Sequence, residues 1–164
     1  MMVSKKVLAI LKARFADLPG QETHGDGWHA FDFAAPDGSA YSFRLGSSTD
    51  SQAELRAYPH PHADGVDLFW HMVMFRESYP TDGRFVEAAA DMVANVLTRP
   101  TRIIQRKALL GWRFRCELYA GGQWSRLHEF VTWDRCCHPP SIVGREAIYT
   151  SKPVVKGSSD EQSV

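Results

Sequence analysis

Cysteine is scarce and odd in number: Cys116, Cys136 and Cys137 are the three in a chain of 164 residues. Three thiols cannot complete a disulfide framework, so the setting expected is a reducing, cytoplasmic one. No stretch approaches the ~20 consecutive apolar residues that a helix needs to span a bilayer. The opening "MMVSKKVLAILKARFADL" breaks its apolar run at Lys12 and Arg14 and lacks a small-residue cleavage site. It reads as an amphipathic helix and not as a signal peptide. Net charge is missing too, since nineteen basic and nineteen acidic side chains cancel; the total demands neither nucleic acid nor an anionic membrane as a partner. Nor is there a G-x-G-x-x-G, a G-x-x-x-x-G-K-[ST], a G-x-S-x-G or an H-E-x-x-H, which removes the local signatures of dinucleotide, P-loop, α/β-hydrolase and zincin chemistry. Asparagine occurs once, and arginine outnumbers lysine thirteen to six; by composition habit alone this usage suggests a bacterial source.

What is present is an ordinary globular composition, 44% apolar and 23% charged, long enough for one core. Without an internal repeat or linker, residues 1–155 are expected to form a single domain, followed by a disordered tail at 156–164. Charge is distributed unevenly. Residues 1–98 carry 8 basic and 13 acidic groups, and residues 99–156 carry 11 basic and 4 acidic ones. Such asymmetry fits complementary packing of the two halves, or a basic binding surface.

Hydrophobic periodicity gives the fold class. Ser4 can cap a helix running to about Leu18, with Val7, Leu8, Leu11, Phe15 and Leu18 on one face. Phe31 and Phe33, then Tyr41, Phe43 and Leu45, alternate around the turn residues Pro36, Asp37 and Gly38, as in a β-hairpin. "AELRAY" (53–58) predicts a charged strand near a sheet edge, and "GVDLFWHMVMF" (65–75), apolar on both faces, a central one. Thr81 or Asp82 can cap a second helix whose stripe is Phe85, Val86, Ala89, Met92, Val93, Val96 and Leu97. Strand-like runs follow at 101–107, 112–119 and 124–133, with a short strand or turn over 142–149. The order α-β-β-β-β-α-β-β-β argues for an α+β domain: six to seven mainly antiparallel strands with two helices packed on them.

Two loops invite a chemical reading. His60, His62 and Asp64 in "YPHPHADG" fall at alternate positions, which on an extended strand point to one side and could share a divalent ion such as zinc. Their spacing resembles the H-x-H-x-D core of metallo-β-lactamase-type hydrolases. That motif continues with a second histidine where this chain has Gly65, so the resemblance ends at three residues. "WDRCCHPP" (133–140) adds Cys136, Cys137 and His138, but adjacent cysteines suit neither a single zinc ion nor a relaxed disulfide. The chemical possibility is a metal- or thiol-dependent enzyme using His60, His62 and His138 with one of the two thiols. The bland alternative is two ordinary loops, with Cys116 a core residue between Phe114 and Leu118.

A basic run is the other candidate. Arg99, Arg102, Arg106, Lys107, Arg113 and Arg115 occur with no acid in the window 99–116. Arg113 and Arg115 alternate with Trp112 and Phe114, so they project from the outer face of a strand. With Trp124 and Trp133 near strand ends, Arg102, Arg106, Arg113 and Arg115 compose an expected binding surface. The reading favoured is a small non-enzymatic domain that binds another protein, analogous to immunity inhibitors or secretion chaperones, with no cofactor. A phosphate- or nucleic-acid-binding module and a homodimer are the competing uses of the same surfaces.

Overall fold

Among the residues that the computed structural model describes (2–60, 70–109, 111–132 and 144–156), one helix and five strands precede a second helix and four strands. Helix α1 (Val3–Arg14) buries Val3, Val7, Leu8 and Leu11. It stops short of Leu18 because Phe15 turns to an extended conformation, φ −120° and ψ 111°. Phe15 and Leu18 still pack against the core from outside the helix. Ser4 is not the cap; it lies inside the first turn and is fully buried.

The first sheet is an antiparallel meander in chain order: β1 (Gly20–Gly25), β2 (Trp28–Phe33), β3 (Tyr41–Ser47), β4 (Gln52–Pro59) and β5 (Trp70–Phe75). Hydrophobic alternation does not reveal β1, because its six residues are almost all exposed. Its hairpin with β2 closes through Asp26-Gly27, with Gly27 at φ +78°, a left-handed conformation that Asp-Gly pairs accommodate. Phe31, Phe33, Tyr41, Phe43, Leu45, Leu55, Trp70 and Met72 form the inner face, and α1 packs on β2, β3 and β4.

Two strands differ from their predicted places. β4 is interior, between β3 and β5. Its burial alternates strictly, so Glu54 and Arg56 sit together on the outer face and pair, Nε to Oε2 2.7 Å. β5, in contrast, is an edge strand with one buried face: Trp70, Met72 and Met74 point inward, His71 and Val73 are half-buried, and Phe75 is exposed. Of the residues that suggested a second covered face, Phe69 lies outside the described residues, and the half-buried Val73 and exposed Phe75 show that face uncovered along β5.

Helix α2 (Asp82–Thr98) is capped by Thr81, whose hydroxyl accepts from the Arg84 N–H at 3.2 Å. It buries Phe85, Val86, Ala89, Ala90, Val93, Val96 and Leu97, and each large apolar side chain so removed from water contributes roughly 1.5–3 kcal/mol. α2 packs on α1, with Arg14 bridging to Asp91 at 2.6 Å. The Leu97 carbonyl, one of the last of the helix, accepts from the N–H groups of Val154 and Val155.

The second sheet has the order β8-β7-β6-β9: β6 (Thr101–Ala108), β7 (Gly111–Ala120), β8 (Gln123–Thr132) and β9 (Glu146–Ser151). The α+β class is therefore present, with its strands divided between two antiparallel sheets where a single one was expected. Tyr41 ties the sheets together: its hydroxyl lies 2.7 Å from the Thr101 hydroxyl, and its carbonyl accepts from Ser151 Oγ at 3.3 Å. β9 is braced against the first sheet by Ala40 N–H to Thr150 O, 2.9 Å, and Lys152 N–H to Ser39 Oγ, 3.2 Å. No helix among the described residues is long and apolar enough to cross a membrane.

Candidate functional site

The register of the second sheet decides what its outer face carries. Residues on β6 and β7 alternate between the core (Thr101, Ile103, Gln105, Phe114 and Cys116) and the outside. Arg113 and Arg115 project outward, as expected, and Arg102 and Arg106 join them on that face. Strand pairing brings acids against them. Arg102 faces Glu117 across the strands, Arg106 faces Glu146, and Arg115 faces Glu129.

The pairing follows from that juxtaposition. Glu117, almost wholly buried, accepts from Arg102 Nε at 2.6 Å and pairs with Arg115 Nε at 2.9 Å. Arg106 pairs with Glu146, and Arg113 approaches Glu129 at 3.5 Å. Arg126, exposed beside Glu117 in the register, completes five arginines against three glutamates. The face is an ion-pair lattice with a small positive excess, and the image of an unopposed basic run does not survive strand pairing.

Aromatic groups are organised on the same face. The Arg102 guanidinium lies 4.4 Å from the centre of the Trp124 ring, within the range of a cation–π contact. Trp124 in turn packs on Tyr119 with ring centres 5.1 Å apart. Ile148 on β9 is 51% exposed next to buried Ile104. Trp124 thus joins the expected arginines; Trp133 lies outside the described residues.

The outer face of the first sheet is self-neutral. Asp32 pairs with Arg44, Nη2 to Oδ2 3.0 Å, Glu54 pairs with Arg56, and Arg44 lies over the Tyr58 ring at 5.1 Å. A shallow cleft of about 280 Å³ beside the start of α2 is lined by Tyr79, Pro80, Arg84, Glu87, Ala88 and Asp91. Its charges are already matched, Arg84 with Glu87 and Asp91 with Arg14.

Of the expected metal ligands, His60 is exposed at the end of β4, where its N–H donates to the Ala40 carbonyl at 2.9 Å. His62 and His138, with Asp64, Cys136 and Cys137, lie outside the described residues. Among those described, no group of three or more His, Cys, Asp or Glu could hold a metal ion. Cys116 is buried in the core, and burial pushes its thiol far up from the ordinary range.

One constellation escaped the sequence reading. Ser4 Oγ lies 2.7 Å from His29 Nδ1, and His29 Nε2 lies 2.9 Å from Glu22 Oε1. Glu22 is held below the usual carboxylate range, first by His29 and then by Lys12. An ionised carboxylate only accepts, so Nε2 carries the proton toward it. In the tautomer with its hydrogen on Nε2, Nδ1 accepts from the Ser4 hydroxyl. Ser47 Oγ, 2.6 Å from Ser4 Oγ, accepts the Ser4 N–H at 3.2 Å and so caps an otherwise orphaned donor of the first turn. The order resembles a nucleophile relay, yet Ser4 and His29 are sealed from solvent. A buried hydroxyl has no room for an acyl group beside it, so the network ties α1 to β1, β2 and β3. Its members come from four elements, and no local motif could announce them. His29 did have one signal, a shared alternation with Phe31 and Phe33.

Comparison with protein-family models, with curated proteins and with solved structures finds no match.

Proposed function

We propose that the protein is a small binding domain that docks another protein on the outer face of the β8-β7-β6-β9 sheet. The observation that carries this reading is the preassembled cluster of Arg102, Trp124 and Tyr119, beside the half-exposed Ile148. Trp, Tyr and Arg dominate the energetics of protein interfaces. Here the arginine is already immobilised by Glu117 and Trp124, so less side-chain entropy remains to be lost on association. The surrounding arginine–glutamate lattice supplies register more than attraction, because its charges are mostly matched before any partner arrives.

The same matching weakens the case for phosphate or nucleic acid, which would need cations free to replace condensed counterions. A metal- or thiol-dependent reaction draws no support from the described residues. The proposal keeps a reducing, cytoplasmic setting, supported by the odd cysteine count.

The test begins with the chain as bait, identification of what it retains, and purification of that partner. Calorimetry then compares wild type, Trp124→Ala and Arg113→Glu. Loss of an interface anchor costs about 2 kcal/mol or more, so Trp124→Ala is expected to weaken binding roughly 30-fold, with a smaller loss for Arg113→Glu. Unchanged affinity in both variants rules out this face. Sedimentation of the free protein reports on the homodimer alternative.

A further inference from the structure

The second sheet ends in an edge that its own strands do not close. β8 pairs with β7 on one side, and no strand among the described residues pairs with the other. The opposite edge of that sheet, β9, is already engaged, its Thr150 carbonyl accepting from the Ala40 N–H at 2.9 Å. An edge of ten residues is long enough to template a further strand. What selects that strand is the pattern of side chains along the edge.

Charge sets that pattern. On the outer face Arg126 stands opposite Glu117, and Glu129 stands opposite Arg115. Glu117, however, is taken by Arg102 and Arg115, at 2.6 and 2.9 Å. Arg126 is exposed and has no ion-pair partner among the described residues. Glu129 has one contact among them, a long one of 3.5 Å with Arg113. Across the sheet, one row thus runs positive, negative, positive through Arg102, Glu117 and Arg126. The next position outward calls for an acid. The neighbouring row ends in Glu129, and the position beyond it calls for a base. Leu127 is the extra residue of a β-bulge, which is why Arg126 and Glu129, three apart, share one face. The complementary strand therefore carries an acid and a base at the same spacing on one face, in reverse order. β8 itself, turned about a two-fold axis, is such a strand.

We propose that two copies of the chain join edge to edge through antiparallel β8 strands, with Arg126 of each against Glu129 of the partner subunit. The contact is isologous, so each charge pair occurs twice. Leu127 and His128 separate the two charges in both strands, so the bulges face one another and the spacing matches. Charges on an edge ordinarily keep copies apart. Opposite signs in this arrangement instead select one register, because sliding the strands to set Arg126 against Arg126 of the partner subunit is repulsive. The two four-stranded sheets become one, with both outer faces on the same side. The contact runs along the edge and not over the outer face, so failure of either this pairing or the docking reading leaves the other standing.

Sedimentation equilibrium of the full chain, from dilute to concentrated solution and at low and high salt, tests the pairing. A dimer is expected that weakens as salt screens its ion pairs. Arg126→Glu and Glu129→Arg alone should each weaken it about tenfold, since two attractions become two repulsions. Mixed in equal amounts, the two variants should recover a heterodimer, in which every pair is again of opposite sign. Amide hydrogen exchange gives a second reading on the wild type: protection over residues 123–129 should rise with concentration while β1 stays unchanged. A chain that remains monomeric throughout overturns the proposal, as does a dimer indifferent to both variants or a mixture that fails to associate. A dimer abolished by Trp124→Ala but intact in Arg126→Glu overturns it too, because the contact would then lie on the outer face. Should Glu129→Arg fail to fold beside Arg113 and Arg115, as judged by circular dichroism, Arg126→Glu and the exchange data decide.

Discussion

Replacing Glu117 by glutamine preserves shape and removes one charge from the centre of the arginine lattice. The carboxylate is 8% exposed and serves two guanidiniums, those of Arg102 and Arg115, which are 26% and 28% exposed. Removing one member of a fully buried pair costs about 3–5 kcal/mol because the partner is left charged in a poor medium. Here both arginines can turn partly into water, and Trp124 still supports Arg102, so about 2–3 kcal/mol is expected. For a domain of this size each kcal/mol moves the melting temperature roughly 2–4 °C; a drop of about 5–10 °C in calorimetry or circular dichroism follows. Glu146→Gln is the control. Its pair with Arg106 is 39% and 48% exposed, and exposed pairs contribute about 0–1 kcal/mol. The two variants should therefore separate clearly although each deletes one carboxylate charge. Glu117→Gln should also raise the salt needed to elute the protein from heparin. A loss below about 0.5 kcal/mol, or equal effects of the two substitutions, would refute the claim that Glu117 organises the face.

Ser4→Ala should cost about 1–3 kcal/mol in urea denaturation, because Ser47 and His29 lose a buried partner; an ester-hydrolysis activity abolished by this substitution would contradict the structural role given to Ser4. Cys116 should escape iodoacetamide in the folded protein at about pH 8 and react once urea is added, as mapped by peptide mass spectrometry, since only the thiolate alkylates; modification of Cys116 in the native state would show the core open there. Glu22 and Asp82 are held below their ordinary values of 4.5 and 3.8, chiefly by hydrogen bonds to His29 and Arg76 respectively. Their contributions are complete above those values and are lost as pH falls through the lowered ones. The urea midpoint should fall at acid pH, less steeply in Glu22→Gln, and an identical slope in that variant would remove Glu22 from the account.

The sequence revealed elements wherever burial imposed a period. The stripe of α2 and the alternation of β2, β3 and β7 place Phe85, Phe31, Phe43 and Phe114 in the core as expected. It was silent about β1, held by backbone pairing and an Asp-Gly turn with no apolar face to betray it. It misplaced β4 and β5 because composition does not say which neighbour a strand takes: charges on β4 reflect an outer face, not an edge. The candidate surface was half legible. Alternation correctly turned Arg113 and Arg115 outward; Glu117 follows the run directly, but its reach across to Arg102, and the arrival of Glu129 and Glu146 through β8 and β9, depend on strand pairing that no local window contains. The Ser4–His29–Glu22 network was out of reach for the same reason, its contacts bridging up to 43 positions when Ser47 is included.

The bracing of β9 also has a consequence for biosynthesis. β6 can pair with β7 as soon as their hairpin exists, yet its other edge waits for Glu146–Ser151, and the closing contacts between Tyr41 or Ser39 and the β9 end span 110 and 113 positions. Until that last strand is made, a growing chain shows an eight-residue edge of unpaired backbone groups, the kind that recruits foreign strands. A chain cut after Arg145 should therefore scatter light at concentrations where the intact protein stays clear. The final strand works as the guard of a half-finished sheet, and the vulnerable interval in this protein's life is the time between β6 and β9.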